Sequence, residues 1–114
     1  MGLPRRNLSE FQGVWLFTLF DLPVDDKKAR KRYTRFRKLL IKQGFYMVQF
    51  SVYARYFVSQ EASEACRGKI QAAVPPDGHV RLLMVTDHQF GKMQVFHGKT
   101  ESPAEKPPEQ LLLF

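Results

Sequence analysis

A lone cysteine, Cys66, excludes an intrachain disulfide and any zinc site built on paired thiolates. Its place among the apolar residues of a helical pattern makes it a packing residue. Long apolar runs are also missing. The longest, Val14 to Phe20, is the length of a strand and far short of the ~20 residues a membrane-spanning helix needs. No apolar signal core follows Arg5 and Arg6, and Met1-Gly2 lacks the downstream serine or threonine of a myristoylation site. His79, His88 and His97 fall at no metal-ligating spacing and read as strand-end or turn residues. These absences together predict a non-secreted, cytoplasmic protein with no membrane association. Disorder is excluded as well, because 44% hydrophobic residues and 10 Phe in 114 positions supply the apolar surface for one modest core.

Net charge is absent from most of the chain. Of 18 bases and 11 acids, nine bases and only Asp25 and Asp26 lie between Val24 and Gln43, so the whole excess of +7 belongs to that segment. The other 94 residues hold equal numbers of each sign. Such asymmetry is suited to an extended polyanion. The segment reads as a helix over about 25–43. Asp25 is its expected N-cap, Asp26 favours the positive end of the dipole, and Gly44 is placed to end it. Ala29, Tyr33, Phe36 and Leu40 form its inner stripe. Opposite them lie Lys27, Lys31, Arg35, Lys38 and Lys42, flanked by Arg30 and Arg37 on one side and Lys28 and Arg32 on the other. That row extends roughly 22 Å at ~1.5 Å per residue, about six base-pair steps of duplex. Contacts of this kind reach phosphates and carry no base information.

Around this helix the pattern predicts a polar leader (1–12) and a strand (14–20) apolar on both alternate faces, which delivers Asp21 to its end. A long half-buried strand (46–58), a second helix capped by Ser59 (about 60–73) and a strand from His79 to Thr86 follow. In the second helix Ala62, Ala65, Cys66, Ile70 and Ala73 are expected to face inward. A short strand is expected near Met93 to Phe96, then a solvated linker (98–109) and an apolar end, Gln110-Leu111-Leu112-Leu113-Phe114. Two helices cover only one face of such a sheet, yet its strands are apolar on both. A second copy of the chain, packed sheet to sheet, is the economical cover.

Several blocks in fixed order, WLFTLFDLP, YTRFRKLLIKQGF, MVQFSVYARY and VRLLMVTDHQFGKM, resemble the second universal CRISPR-associated protein family, in a flavour similar to that of type II systems. The resemblance covers about residues 13–97. It implies an α+β, ferredoxin-like βαββαβ sandwich with an extra C-terminal strand, a sheet-to-sheet homodimer, and a hairpin within 46–58 that periodicity does not show. It also implies that Asp21 is the catalytic and metal-binding acid, lying beside its two-fold mate and sharing a magnesium ion. Physically, two close carboxylates repel, and a shared cation relieves this. Ser51 and Arg55 match the family's SVY block and are expected near the dimer axis.

The function so implied is a nucleic-acid-binding homodimer of CRISPR adaptation. It would bridge dimers of the CRISPR-associated integrase and hold duplex spacer-precursor DNA for insertion into the repeat array. The competing expectation is a magnesium-dependent endonuclease on RNA or DNA using paired Asp21. A toxin-like ribonuclease of similar fold is a third. For residues 110–114 an added strand and a peptide docking on the replication sliding clamp are both open. Tyr53, Tyr56 and Phe57 could stack bases, although a covered sheet makes packing the simpler role.

Overall fold

The structure is a computed structural model that describes residues 13–107. The leader 1–12 and the apolar end 110–114 lie outside the described residues, so neither expectation for that end is addressed. The elements run β1 (Val14–Asp21), α1 (Lys27–Lys42), β2 (Tyr46–Gln49), β3 (Val52–Phe57), a 3-10 turn (Glu61–Ser63), α2 (Glu64–Ala73), β4 (His79–Thr86), α3 (Asp87–Gly91), β5 (Val95–His97) and β6 (Thr100–Ser102). Strands β2-β3-β1-β4 form one antiparallel sheet in that order, as the ferredoxin-like expectation requires.

Helix α1 begins one residue later than the pattern predicts. Its N-cap is Asp26, not Asp25: the Asp26 carboxylate accepts from the Ala29 N–H at 2.8 Å. The phase is set by burial of Ala29, Phe36 and Leu40, which makes Ala29 the N3 donor that a cap must satisfy. At the other end Gly44, with φ +91°, lets the Phe45 N–H reach the Leu40 carbonyl at 2.9 Å while its own N–H reaches Ile41 at 3.0 Å.

The long strand expected over 46–58 is two strands. Phe50 and Ser51 form the turn, and Ser51 adopts φ +63°, a left-handed conformation that no glycine or asparagine advertises. The second helix also starts later. Ser59 Oγ accepts from the Ala62 N–H at 3.1 Å, but Gln60 precedes the 3-10 turn and Ser63 stands at the start of α2; Ala62 and Ala65 are exposed while Cys66 and Ile70 are buried. Within the stretch read as a linker, Thr100–Ser102 pairs with Val95–His97 as a separate two-stranded sheet.

Two apolar layers flank the main sheet. On the helix side Leu16, Phe20, Tyr53 and Phe57 meet Phe36, Leu40, Cys66 and Ile70. Full burial of each large side chain contributes about 1.5–3 kcal/mol. On the opposite side Trp15 and Ala54 are covered by Phe90 of α3, with Val48, Tyr56, Met93 and Ala104 packed around them. Trp15 stacks on Phe90 with ring centres 4.0 Å apart. That cover is partial. Phe17 and Leu19 are half-buried, as is Val52 opposite Leu19, and Leu83 opposite Phe17 remains 53% exposed.

Candidate nucleic-acid interface and acidic sheet end

The basic row forms one continuous surface. Lys27, Arg30, Lys31, Thr34, Arg35 and Lys38 line a shallow open groove along α1. Lys42 extends it, and Arg37 lies half-buried at its flank. Arg30 also donates to the Val24 carbonyl at 3.2 Å, which ties it to the loop before the helix. Arg32 turns away from this row to pair with Asp77 at 3.4 Å. Such an exposed pair adds little stability, but it engages the Arg32 charge away from the groove.

Asp21 stands elsewhere. It is the last residue of β1 and is exposed. Side chains alternate along the strand, so it shares the side of Trp15, Phe17 and Leu19, opposite to the side that α1 covers. Within one chain, then, the acid and the basic groove lie on different sides of the sheet. The register of β1 with β4 brings other groups to Asp21. His79 is its direct partner, and Arg81, paired with Leu19, is its diagonal neighbour. Both are exposed. Sequence reasoning sets His79 aside as a strand-end residue and does not single out Arg81. The strand order makes β4 an antiparallel neighbour of β1, but the rung itself is set by register.

Ser51 and Arg55, expected near the dimer axis, make different contacts within the chain. The Ser51 carbonyl accepts from the Phe20 N–H at 3.1 Å, one residue from Asp21. Its hydroxyl lies 3.3 Å from that of Tyr33. Arg55 points among the helices: its guanidinium donates to the Gln43 carbonyl and lies 4.2 Å above the Phe57 ring. It also moderates Cys66, whose thiol is pushed above its ordinary range by burial and held back by the Arg55 charge and hydrogen bond. Arg55 therefore joins the end of α1 to β3 and α2. Tyr53 and Phe57 are buried on that same side, so packing uses them and no base can reach them. Tyr56 is half-buried on the other side, edge-on to Trp15 at 5.4 Å.

Among the described residues no group of three or more His, Cys, Asp or Glu could hold a metal. One chain thus offers Asp21 with His79 beside it. Magnesium keeps most of its waters and takes few protein ligands, so a pair of such carboxylates from two chains fits it.

A four-stranded antiparallel sheet with two helices on one side, a basic outer helix and an acid at the free end of the first strand define a small ferredoxin-like protein whose positive charge is gathered on one helix. The family described as CRISPR associated protein Cas2 matches residues 14–93, and the chain belongs to it. The protein named CRISPR-associated endoribonuclease Cas2 from Parvibaculum lavamentivorans is 48% identical over 101 residues, covering 89% of this chain and all of that one. Its namesake in Flavobacterium psychrophilum is 39% identical over 107 residues, covering 94% and 93%. A solved structure titled "Crystal structure of cas2" superposes with TM-score 0.52 at 23% identity, covering 83% of this chain and 98% of that one, and confirms the fold. Among the described residues no helix is long and apolar enough to cross a membrane.

Proposed function

We propose that this chain works as a sheet-to-sheet homodimer that holds a nucleic-acid duplex during CRISPR adaptation and bridges dimers of the integrase. The observation that carries this is the division of labour across the sheet. One side presents a continuous basic groove on α1, and the other leaves Phe17, Leu19, Val52 and Leu83 incompletely covered. A second copy would bury that apolar strip and place two basic helices on the outer surfaces of the assembly. Phosphate contacts from two rigid rows suit a stiff duplex and are indifferent to sequence.

The sheet end favours a second reading, a divalent-metal endonuclease, and the name borne by the relatives points the same way. In the dimer the two Asp21 side chains would hold magnesium, which would supply positive charge to a phosphodiester as negative charge develops on it. Arg81 would anchor the adjoining phosphate, and Leu19 with Val52 would exclude bulk water from that side.

Both readings meet in one experiment. Wild type and Asp21→Ala are incubated with labelled duplex DNA and with RNA, in magnesium and in EDTA, with dimer mass and circular dichroism followed alongside. Duplex binding by both proteins with no cutting by either supports the scaffold. Magnesium-dependent cutting that vanishes in a folded, dimeric Asp21→Ala establishes the nuclease. Failure of wild type to bind duplex at low salt overturns the proposal.

A further inference from the structure

Four aromatic rings form a continuous line from the core to the surface. Tyr53 is buried. Phe20 lies 5.7 Å from it, Tyr33 of α1 lies 5.7 Å from Phe20, and Phe50 lies 6.4 Å from Tyr33. The last two rings are only 24° from parallel, in the range of offset stacking. Phe50 nevertheless remains 80% exposed, more than any other large apolar side chain among the described residues. It rests on Tyr33 and turns most of its ring to water.

A single exposed apolar residue is ordinary on a protein surface. Phe50 differs in being held. It sits at the β2–β3 turn, where Ser51 takes φ +63° and its carbonyl accepts from the Phe20 N–H at 3.1 Å. The Ser51 hydroxyl lies 3.3 Å from that of Tyr33, which ties the turn to the ring beneath Phe50. An exposed ring on a rigid seat loses little freedom when it makes a contact. The charges nearby say which contact. Arg30 and Arg37 stand three residues before and four after Tyr33 on α1, and so are its neighbours on the helix surface. A flat apolar ring between guanidinium groups suits a nucleobase with its phosphates, whereas an apolar peptide would gain nothing from the arginines.

We infer that Phe50 is a stacking ledge for one unpaired base of a single strand whose phosphates lie along Arg30 and Arg37. The inference rests on the phosphate binding by α1 proposed above. It adds a contact that an intact duplex cannot make, because paired bases keep their faces covered by one another. The outward row of α1 then serves the duplex, and its Tyr33 edge serves the single strand.

The test uses the full chain and two end-labelled single strands of equal length. One carries 2-aminopurine among its bases, the other is built on stable abasic sugars, and a blunt duplex is measured in parallel. Anisotropy gives affinity, 2-aminopurine emission reports stacking, and sedimentation and circular dichroism follow mass and fold. Wild type should quench the 2-aminopurine and prefer the base-bearing strand by about 5- to 100-fold, the factor that stacking on one ring provides. Phe50→Ala should abolish the preference and the quenching. Its affinity for the abasic strand and the duplex, and its salt slope, should stay those of wild type, since no phosphate contact is lost. Phe50→Trp should keep both signals, and Val74→Ala, at an exposed apolar position just beyond α2, should change nothing. A wild type that binds the two strands alike, or a Phe50→Ala that still prefers bases, overturns the ledge and leaves duplex binding standing. A wild type that binds neither strand nor duplex at low salt overturns the proposed function and the ledge with it. A Phe50→Ala that loses dimer mass makes the ring a contact between copies and overturns the ledge as well.

Discussion

The Trp15 indole N–H donates to the Asp87 carboxylate at 2.8 Å, across 72 positions of sequence. The bond ties the start of β1 to the start of α3, and the Asp87 N–H, bonded to the Gly13 carbonyl at 2.9 Å, doubles the tie. Thr86 and Gln89 close a reciprocal capping box that sets the pitch of α3. Phe90 is thereby laid flat on Trp15. Asp87→Ala leaves a part-buried indole N–H without its acceptor and should cost about 1–3 kcal/mol in urea unfolding. Asp87→Asn retains an acceptor oxygen and should cost less. Tryptophan emission should move to longer wavelength in the alanine variant as water reaches the ring. Equal stability of both variants and wild type would show that the stack alone holds α3.

The basic groove makes a quantitative prediction about salt. Lys31→Glu with Arg35→Glu should weaken duplex binding and reduce the slope of log affinity against log salt by about 0.9 for each phosphate no longer neutralised. Both side chains are exposed and line the groove, so folding should be unaffected. Arg32→Ala, whose guanidinium is engaged with Asp77, should change the slope much less. Filter binding or fluorescence anisotropy across a salt series reads both.

The uncovered strip predicts the oligomeric state. Leu83 is 53% exposed in the single chain and faces the side opposite the helices. Leu83→Asp should therefore cost the monomer little while placing a charge in the middle of the proposed interface, where an unpaired charge is strongly disfavoured. Sedimentation should show a dimeric wild type and a monomeric variant with unchanged circular dichroism. A variant that remains dimeric would move the interface off this face.

What can be read from the sequence, and what cannot, divides on local against long-range information. The inner stripe Ala29, Tyr33, Phe36 and Leu40 determines the buried face of α1, and the outward lysines and arginines follow from it. Strand β1 betrays a sheet covered on both sides because both of its alternate faces are apolar. The hairpin at Phe50-Ser51 stays hidden, because Ser51 takes a left-handed backbone without the usual residue to mark it. Arg55 reads as one of a polar set along a half-buried strand. In fact both faces of β3 are packed, and the guanidinium is satisfied by the Gln43 carbonyl and the Phe57 ring. Helix α3 is only five residues long, too short for periodicity to register. The Asp21–His79 rung depends on register, which no single segment encodes.

Tyr46 carries a prediction in the alkaline range. Its hydroxyl is pushed up to about 12 from the usual 10, first by burial and then by the Glu105 carboxylate. Glu105 belongs to the segment after β6, so this shift reports on how residues 103–107 lie over the sheet beside Trp15, which stands edge-on to Tyr46 at 6.4 Å. The folded state holds the phenolic proton more tightly than the unfolded chain does. The resulting stability is fully present below pH 10 and is lost as pH rises from 10 towards 12. Tyr56, raised by burial and by Asp87 against an opposing Gly13 hydrogen bond, changes in the same direction. Urea midpoints of wild type and Tyr46→Phe should run parallel below about pH 9 and diverge above about 10, with wild type falling faster. Glu105→Gln should bring the phenol's own titration down towards 10 and narrow the range over which the two midpoints separate. Parallel curves through about pH 11 would mean that the segment after β6 leaves the sheet in solution and that Tyr46 ionises freely.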